Sequence, residues 1–218
     1  MNRQVQSWID QLFETGMLAR SQLCSLIDGR DAESAEYLFE RARIRQREHF
    51  GTSVYLRGLI EFTNYCRNDC LYCGIRRSNS HLERYSLSRE SILQSCGNAH
   101  RLGLRTFVLQ GGENPPAAEA LVPLVAEMRA SWPDSAITLS LGELPRPTYS
   151  LLRKSGADRY LLRHESADER HYARLHPAGM HLANRLSCLR TLRELGYQTG
   201  MGMMVGSPFQ TTRHLLAD

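Results

Sequence analysis

The stretch VYLRGLIEFTNYCRNDCLYCG, residues 54–74, reads first as a strand and then as a loop crowded with thiols. Val54 to Phe62 is mostly apolar and strand-forming, and it delivers the chain to Asn64-Tyr65-Cys66-Arg67-Asn68-Asp69-Cys70-Leu71-Tyr72-Cys73-Gly74. Cys66, Cys70 and Cys73 stand at C-x3-C-x2-C. Three thiolates so spaced can each take a different iron of a cubane cluster, which usually has four protein ligands. A set of three leaves one iron with open coordination, as a catalytic zinc keeps a free position where a structural one does not. Two other readings of the same residues stay open. One is a structural zinc site with a fourth ligand such as His81, although no second ligand knuckle follows. The other is a structural or electron-transfer cluster completed by Cys24, Cys96 or Cys188. Those three cysteines lie in helical-looking segments, where a small buried hydrophobe is the ordinary role.

Outward from this loop the chain alternates strand and helix. Thr106–Gln110, Ala136–Leu141, Tyr160–Arg163 and Gln198–Val205 are short apolar strand candidates. Between and after them, helices are predicted over Ser88–Leu102, Ala117–Ser131, Pro145–Lys154 and Leu182–Leu195, with another starting at Gln210. Such alternation indicates right-handed βαβ units and a parallel sheet. The expected fold class is α/β: a parallel (β/α) TIM-type barrel, truncated after about five strands. A doubly wound open sheet is the alternative. Residues 1–50 read as a helical segment, with Trp8, Ile9, Leu12 and Phe13 on one face, so the expected division is 1–50 and 51–218.

Of the 218 residues, 42% are hydrophobic and 23% charged, an ordinary globular balance. The net charge of +4 comes almost wholly from scattered arginines, Lys154 being the only lysine. No basic stripe tracks a phosphate backbone, so nucleic acid is not an expected partner. No apolar run is long enough to span a bilayer, and the N-terminus lacks a signal-peptide core. A cytoplasmic protein without membrane contact is expected. Clustered cysteines in a reducing compartment suit metal ligation better than a disulfide framework.

Several other residues have a chemical reading. Gly111-Gly112-Glu113 closes the second strand, where glycines admit close backbone approach and a carboxylate can accept from an ammonium group; a strand-to-helix turn with a solvated glutamate fits equally. Gln110 points inward beside it. Arg163 and Glu165, two residues apart, are expected on one side of their strand, as ligand contacts or as a surface ion pair. Thr138 and Ser140 alternate on the third strand and could line the interior as neutral donors, with structural packing an equal reading. Met201, Met203 and Met204 read as core filler, and His164, His171 and His176 as surface or capping residues.

The C-x3-C-x-aromatic-C signature, with Tyr72 as the aromatic, resembles that of the radical S-adenosylmethionine (SAM) enzymes. The string IEFTNYCRNDCLYCGIRRSN, residues 60–79, is similar more narrowly to the branch of the [FeFe]-hydrogenase maturase HydE, methylornithine synthase and biotin synthase. FVLQGGE (107–113), ITLSLGE (137–143), YLLRHES (160–166), LHPAGM (175–180) and GMGMMVGSPFQT (200–211) extend the resemblance in order over nearly the whole chain. It implies a [4Fe–4S] cluster on Cys66, Cys70 and Cys73 and reductive cleavage of SAM to a 5′-deoxyadenosyl radical. It implies SAM contacts from Tyr72, Gln110, Gly111, Gly112, Glu113 and Thr138, with Glu165 on ribose and Arg185 on the methionine carboxylate. Arg163 would take that carboxylate or an anionic substrate group, and Val205 the adenine. Implied partners are a small-molecule or organometallic iron substrate, a low-potential electron donor (flavodoxin or ferredoxin) and other hydrogenase maturases. Members of the branch continue well past Asp218, which makes a fragment lacking about three strand–helix units the expectation. Gly206-Ser207-Pro208-Phe209 departs from the branch's usual turn after the fifth strand.

Overall fold

Five strands, β1 (Gly58–Thr63), β2 (Thr106–Gly111), β3 (Ala136–Ser140), β4 (Arg159–Leu161) and β5 (Gln198–Gly200), pair in parallel in the computed structural model, which describes residues 1–218. Their spatial order is their chain order, β1-β2-β3-β4-β5. Every crossover therefore steps in the same direction. A doubly wound sheet needs a reversal of strand order, so that alternative is excluded and the singly wound, barrel-type arrangement stands.

Helices α4 (Arg89–Arg101), α5 (Pro115–Ser131), α6 (Arg146–Lys154), α7 (Glu169–Leu175) and α8 (Leu182–Glu194) connect the strands. The apolar alternation within each strand decides which face they cover. Ile60 and Phe62, Phe107 and Leu109, Ile137 and Leu139, and Tyr160 join Ile92, Val125, Met128, Leu152 and Leu192 in one buried core. The opposite face carries the intervening residues in register: Glu61, Gln110 and Ser140 in one row, and Leu59, Val108, Thr138, Arg159 and Gln198 in the next. That face is polar, with Gln110 Nε2 donating to Glu61 Oε1 at 3.2 Å and Arg159 Nε to Gln198 Oε1 at 2.6 Å.

Several boundaries differ from the sequence expectation, each for a local reason. Val54, Tyr55 and Leu56 are strand-forming but 82, 81 and 71% exposed; the neighbouring β2 begins only at Thr106, and in the Gly58–Phe107 register it offers 54–56 no partner. The fourth strand stops at Leu161, and the fifth at Gly200. Helix α5 starts two residues early, capped by the Asn114 side chain with proline in its first turn. Helix α7 was not expected at all. Its signal was Asp168, whose Oδ1 accepts from His171 N at 2.8 Å, followed by Glu169.

The chain divides into two compact units, Leu56–Met204 and Met1–Tyr55 with Val205–Asp218. In the second, α1 (Arg3–Thr15), α2 (Arg20–Asp28) and α3 (Ala32–Phe50) precede the sheet in sequence, and α9 (Thr212–Ala217) ends the chain. Gly16, with φ +70°, closes α1, and the Asp31 side chain caps α3. Arg41 and Arg45 lie 5.1 and 4.3 Å over the Phe13 ring, tying α3 to α1. No helix is long and apolar enough to cross a membrane.

Candidate functional site

The cysteine loop leaves β1 at Thr63 and is closed at its neck. Asn64 N donates to Tyr85 O at 3.3 Å, its Nδ2 to Glu83 O at 2.8 Å, and Tyr85 N returns a bond to Asn64 Oδ1 at 2.9 Å. Inside the loop, Asp69 accepts from Ser78 N at 2.6 Å and from Arg77 Nη2 at 3.0 Å. Cys66, Cys70 and Cys73 are free thiols of intermediate burial. Burial pushes the Cys70 pKa up to about 11; Tyr72 and Arg185 oppose the rise, while Cys66 and Cys73 add to it. No three His, Cys, Asp or Glu side chains converge as ligands of a single ion. A single zinc ion needs its ligands to converge, whereas a cubane takes its thiolates at separate irons. Cys96 is fully buried in the helix–sheet core and cannot complete a cluster.

The loops after β2 and β3 clamp this one. Glu113 is 7% exposed, and its carboxylate is taken up by the chain's own donors. Arg67 Nε and Nη2 reach Oε1 at 2.9 and 2.8 Å, and Glu143 N donates to Oε2 at 2.7 Å. Glu113 N in turn donates to Cys66 Sγ at 3.3 Å, and Arg67 N to Glu113 O at 2.9 Å. The carboxylate is thus held by the chain's own donors rather than solvated, and it ties the loop to the ends of β2 and β3. A Cβ on Gly112 would meet Tyr65 O at 2.4 Å and Cys66 Cβ at 2.7 Å, so the close approach that demands glycine is that of the cysteine loop itself. A Cβ on Gly111 would meet the Phe62 ring and Thr63 Cγ2 at 2.9 Å. Gly142, at φ +77°, gives Glu113 its space, and its carbonyl accepts from the Tyr149 and Tyr160 hydroxyls at 3.1 and 2.9 Å.

Arg185, 7% exposed, pairs through Nε with Glu143 Oε1 at 2.9 Å. Burial works against its charge, but Glu143, with Tyr172 and Glu113, holds its pKa above the usual value. Glu165 has φ +66°, a left-handed conformation that costs a non-glycine residue about 1–3 kcal/mol and is typical of functional sites. It is locked there by Glu165 N donating to Gly202 O at 3.1 Å and Met204 N to Glu165 O at 2.9 Å. This turn breaks the strand alternation, so the expectation that Arg163 and Glu165 share one strand face does not hold. Burial raises the Glu165 pKa against the pull of Arg163 and Arg185.

Tyr72 packs edge-on to His176, and its hydroxyl lies 3.1 Å from Nε2. His176 Nδ1 lies 2.8 Å from Tyr172 O, so Nδ1 donates and Nε2 accepts the Tyr72 proton. Leu71 N donates to Leu175 O at 3.0 Å, docking the cysteine loop on the end of α7. His164, His171 and His176 are only 4, 2 and 3% exposed, so the surface half of their expectation fails, while His176 is a capping residue at the C-terminal end of α7. Met201 and Met203, expected in the core, are 58 and 42% exposed. Burial, reinforced by Arg185, lowers the His176 pKa from its ordinary 6.5 despite the Tyr172 bond. The folded state then binds fewer protons than the unfolded one below that value. Its stabilisation is complete above pH 6.5 and is lost as pH falls toward the folded pKa. His176→Gln is expected to reduce this acid sensitivity, read as the difference in urea midpoint between about pH 7.5 and about pH 5.5. An unchanged difference would contradict it.

Thr138 is 5% exposed, and its Oγ1 has no hydrogen-bond partner. A buried orphan hydroxyl on the polar sheet face is what a site shaped for a polar ligand retains. Together with three free thiols and the strained Glu165, it fits an iron–sulfur cluster and a polar cofactor. Val205 is 75% exposed and belongs to the unit containing the N-terminal helices. Arg67 and Glu143 escaped the sequence reading. A signal existed: β2 and β3 are each followed closely by Gly-Glu, at 112–113 and 142–143.

The profile of the Radical SAM superfamily matches residues 60–217, and the chain belongs to that family, whose enzymes bind a [4Fe–4S] cluster and SAM. Within it the chain falls in the HydE and biotin synthase-like branch. It is 45% identical over 184 residues to the [FeFe] hydrogenase maturase subunit HydE of Thermotoga maritima, covering 84% of this chain and 52% of that protein. It is 29% identical over 200 residues to 3-methylornithine synthase of Methanosarcina acetivorans, covering 90% of this chain and 56% of that one. Among solved structures, methylornithine synthase superposes with a TM-score of 0.88 at 26% identity, over 96% of this chain and 62% of that one. HydG, a maturase of the [FeFe]-hydrogenase, shares the fold with a TM-score of 0.84 at 20% identity, over 99% of this chain and 49% of its own. The chain spans about half the length of the curated relatives it matches.

Proposed function

We propose that this chain carries the cluster- and SAM-binding part of a HydE-type maturase acting in assembly of the [FeFe]-hydrogenase centre. The observation that carries the reading is the closed loop presenting Cys66, Cys70 and Cys73 beside Glu165 and Arg185, in a chain 45% identical to HydE. Cys66, Cys70 and Cys73 would hold the cluster. Thr138, Arg163, Glu165 and Arg185 would surround SAM, with the backbone of Gln110–Glu113 and with Tyr72. When bound, the reduced cluster supplies the electron that splits SAM into methionine and a 5′-deoxyadenosyl radical. The chain's own residues bind and orient. Arg67 and Glu113 fix the loop against β2. Tyr72 and His176 fix it against α7. Arg185, already paired with Glu143, keeps a positive charge in a half-dry site, where it would be held in place for a carboxylate. The expected substrate is an organometallic iron species or small molecule, the electron donor a flavodoxin or ferredoxin, and the compartment a reducing cytoplasm shared with other maturases.

A methylornithine synthase-like reaction is the second reading, favoured by the TM-score of 0.88. The full chain, reconstituted anaerobically with iron and sulfide and then given SAM and a strong reductant, should release 5′-deoxyadenosine. It should also restore hydrogenase maturation to a host lacking its own HydE. Release of 5′-deoxyadenosine without restored maturation would favour the second reading. Protein that holds a cluster but releases none would overturn both and leave a non-catalytic iron–sulfur protein.

A further inference from the structure

We propose that Arg84 is a positioning residue that pre-forms the cysteine loop, so that a cluster enters a frame already built. The inference rests on the reading of Cys66, Cys70 and Cys73 as cluster ligands, but the geometry that carries it involves none of them.

The Arg84 guanidinium bonds four backbone carbonyls drawn from both arms of the loop. Nη1 donates to Asn64 O at 2.5 Å and to Ile75 O at 2.9 Å. Nη2 donates to Arg76 O at 2.6 Å and to Asn79 O at 3.4 Å. Asn64 lies two residues before the first cysteine, and Ile75 two after the last, so one side chain fixes the separation of the two arms. Asn79 carries the restraint further, its Nδ2 donating to Gly74 O at 2.8 Å.

This loop has no ladder or helix to satisfy its carbonyls, and four carbonyl dipoles pointed inward repel one another. A guanidinium answers that problem because its planar fork spreads five donors around a permanent charge. Lysine brings the same charge at a single point and cannot bridge both arms. The flanking residues hold Arg84 in place: Glu83 O and Tyr85 N both bond the Asn64 side chain. Thr63 and Ser86 also meet as an isolated antiparallel bridge. The neck aims the side chain, and the side chain fills the loop.

The test uses the metal-free full chain, wild type against Arg84→Lys and Arg84→Ala. Backbone hydrogen exchange over residues 65–82 should quicken at least about tenfold in both variants, while β2 and β3 keep wild-type protection. Added guanidinium ion should restore protection to Arg84→Ala, and ammonium should not. After reconstitution the variants should bind less iron, and the electron paramagnetic resonance signal of the reduced cluster should split into more than one species. Wild-type exchange rates in Arg84→Lys, or rescue of Arg84→Ala by ammonium as well as by guanidinium, would overturn the proposal. Should Arg84→Ala not fold, Arg84→Lys alone decides it. A wild-type loop that depends on Arg84 yet binds no four-iron cluster would support the positioning role and refute the cluster reading, so the two failures are distinct.

Discussion

Cys70→Ser is expected to lower bound iron from about four atoms per reconstituted chain to below about one, with loss of 5′-deoxyadenosine release. Cys70 is the middle ligand in the proposed set, and Leu71 and Tyr72 tie its neighbourhood to the end of α7 through Leu175 O and His176 Nε2. A serine hydroxyl does not ionise near neutral pH and is a poor partner for iron beside a thiolate. The Cys70 thiol is itself costly to ionise in the metal-free protein, with its pKa near 11, so cluster assembly must displace a proton there. Cys96→Ser provides the contrast. That side chain is fully buried among apolar residues, so a hydroxyl there should cost about 1–3 kcal/mol of stability and leave iron binding intact. Iron and sulfide analysis of both variants checks the pair. A four-iron cluster surviving in Cys70→Ser would sink the ligand assignment.

Gly112→Ala is expected to destabilise the fold by about 1–3 kcal/mol or more and to dislodge the cysteine loop. The added methyl would sit 2.4 Å from Tyr65 O and 2.7 Å from Cys66 Cβ, contacts with backbone and with the base of a ligand rather than with a flexible chain end. Relief requires separating the loop from the end of β2. That movement would pull Glu113 N from Cys66 Sγ and strain the Arg67–Glu113 pair. Stability and iron content should therefore fall together. Gly179→Ala, which meets nothing within 4 Å, should change neither. A Gly112→Ala protein with wild-type melting temperature and iron content would show that the loop does not depend on this approach.

Much of the fold was legible because it follows from local rules. Alternating apolar strands and capped helices, such as α4 behind Ser88, announced the parallel sheet, and the cysteine spacing singled out the loop on which the candidate site is built. What was hidden depends on neighbours. Val54–Leu56 has strand chemistry but lacks a strand beside it. Arg163 and Glu165 follow the spacing rule only while the backbone stays extended, and the positive φ at Glu165 ends that. Glu113 reads as a free carboxylate until Arg67, far away in sequence, is folded against it. The three histidines read as surface or capping residues because nothing local says that helix α7 buries two of them and the end of β4 the third.

The Gly142 carbonyl, gripped by two tyrosine hydroxyls rising from the hydrophobic core, has a consequence for how this protein responds to heat. The residue next to it supplies the amide that secures Glu113, so the anchorage of the catalytic-looking end passes straight into the densest part of the interior. Calorimetry of Leu56–Met204 within the whole chain should then show no early pre-transition assigned to the β2 and β3 loops. They would survive until the aromatic packing beneath them gives way.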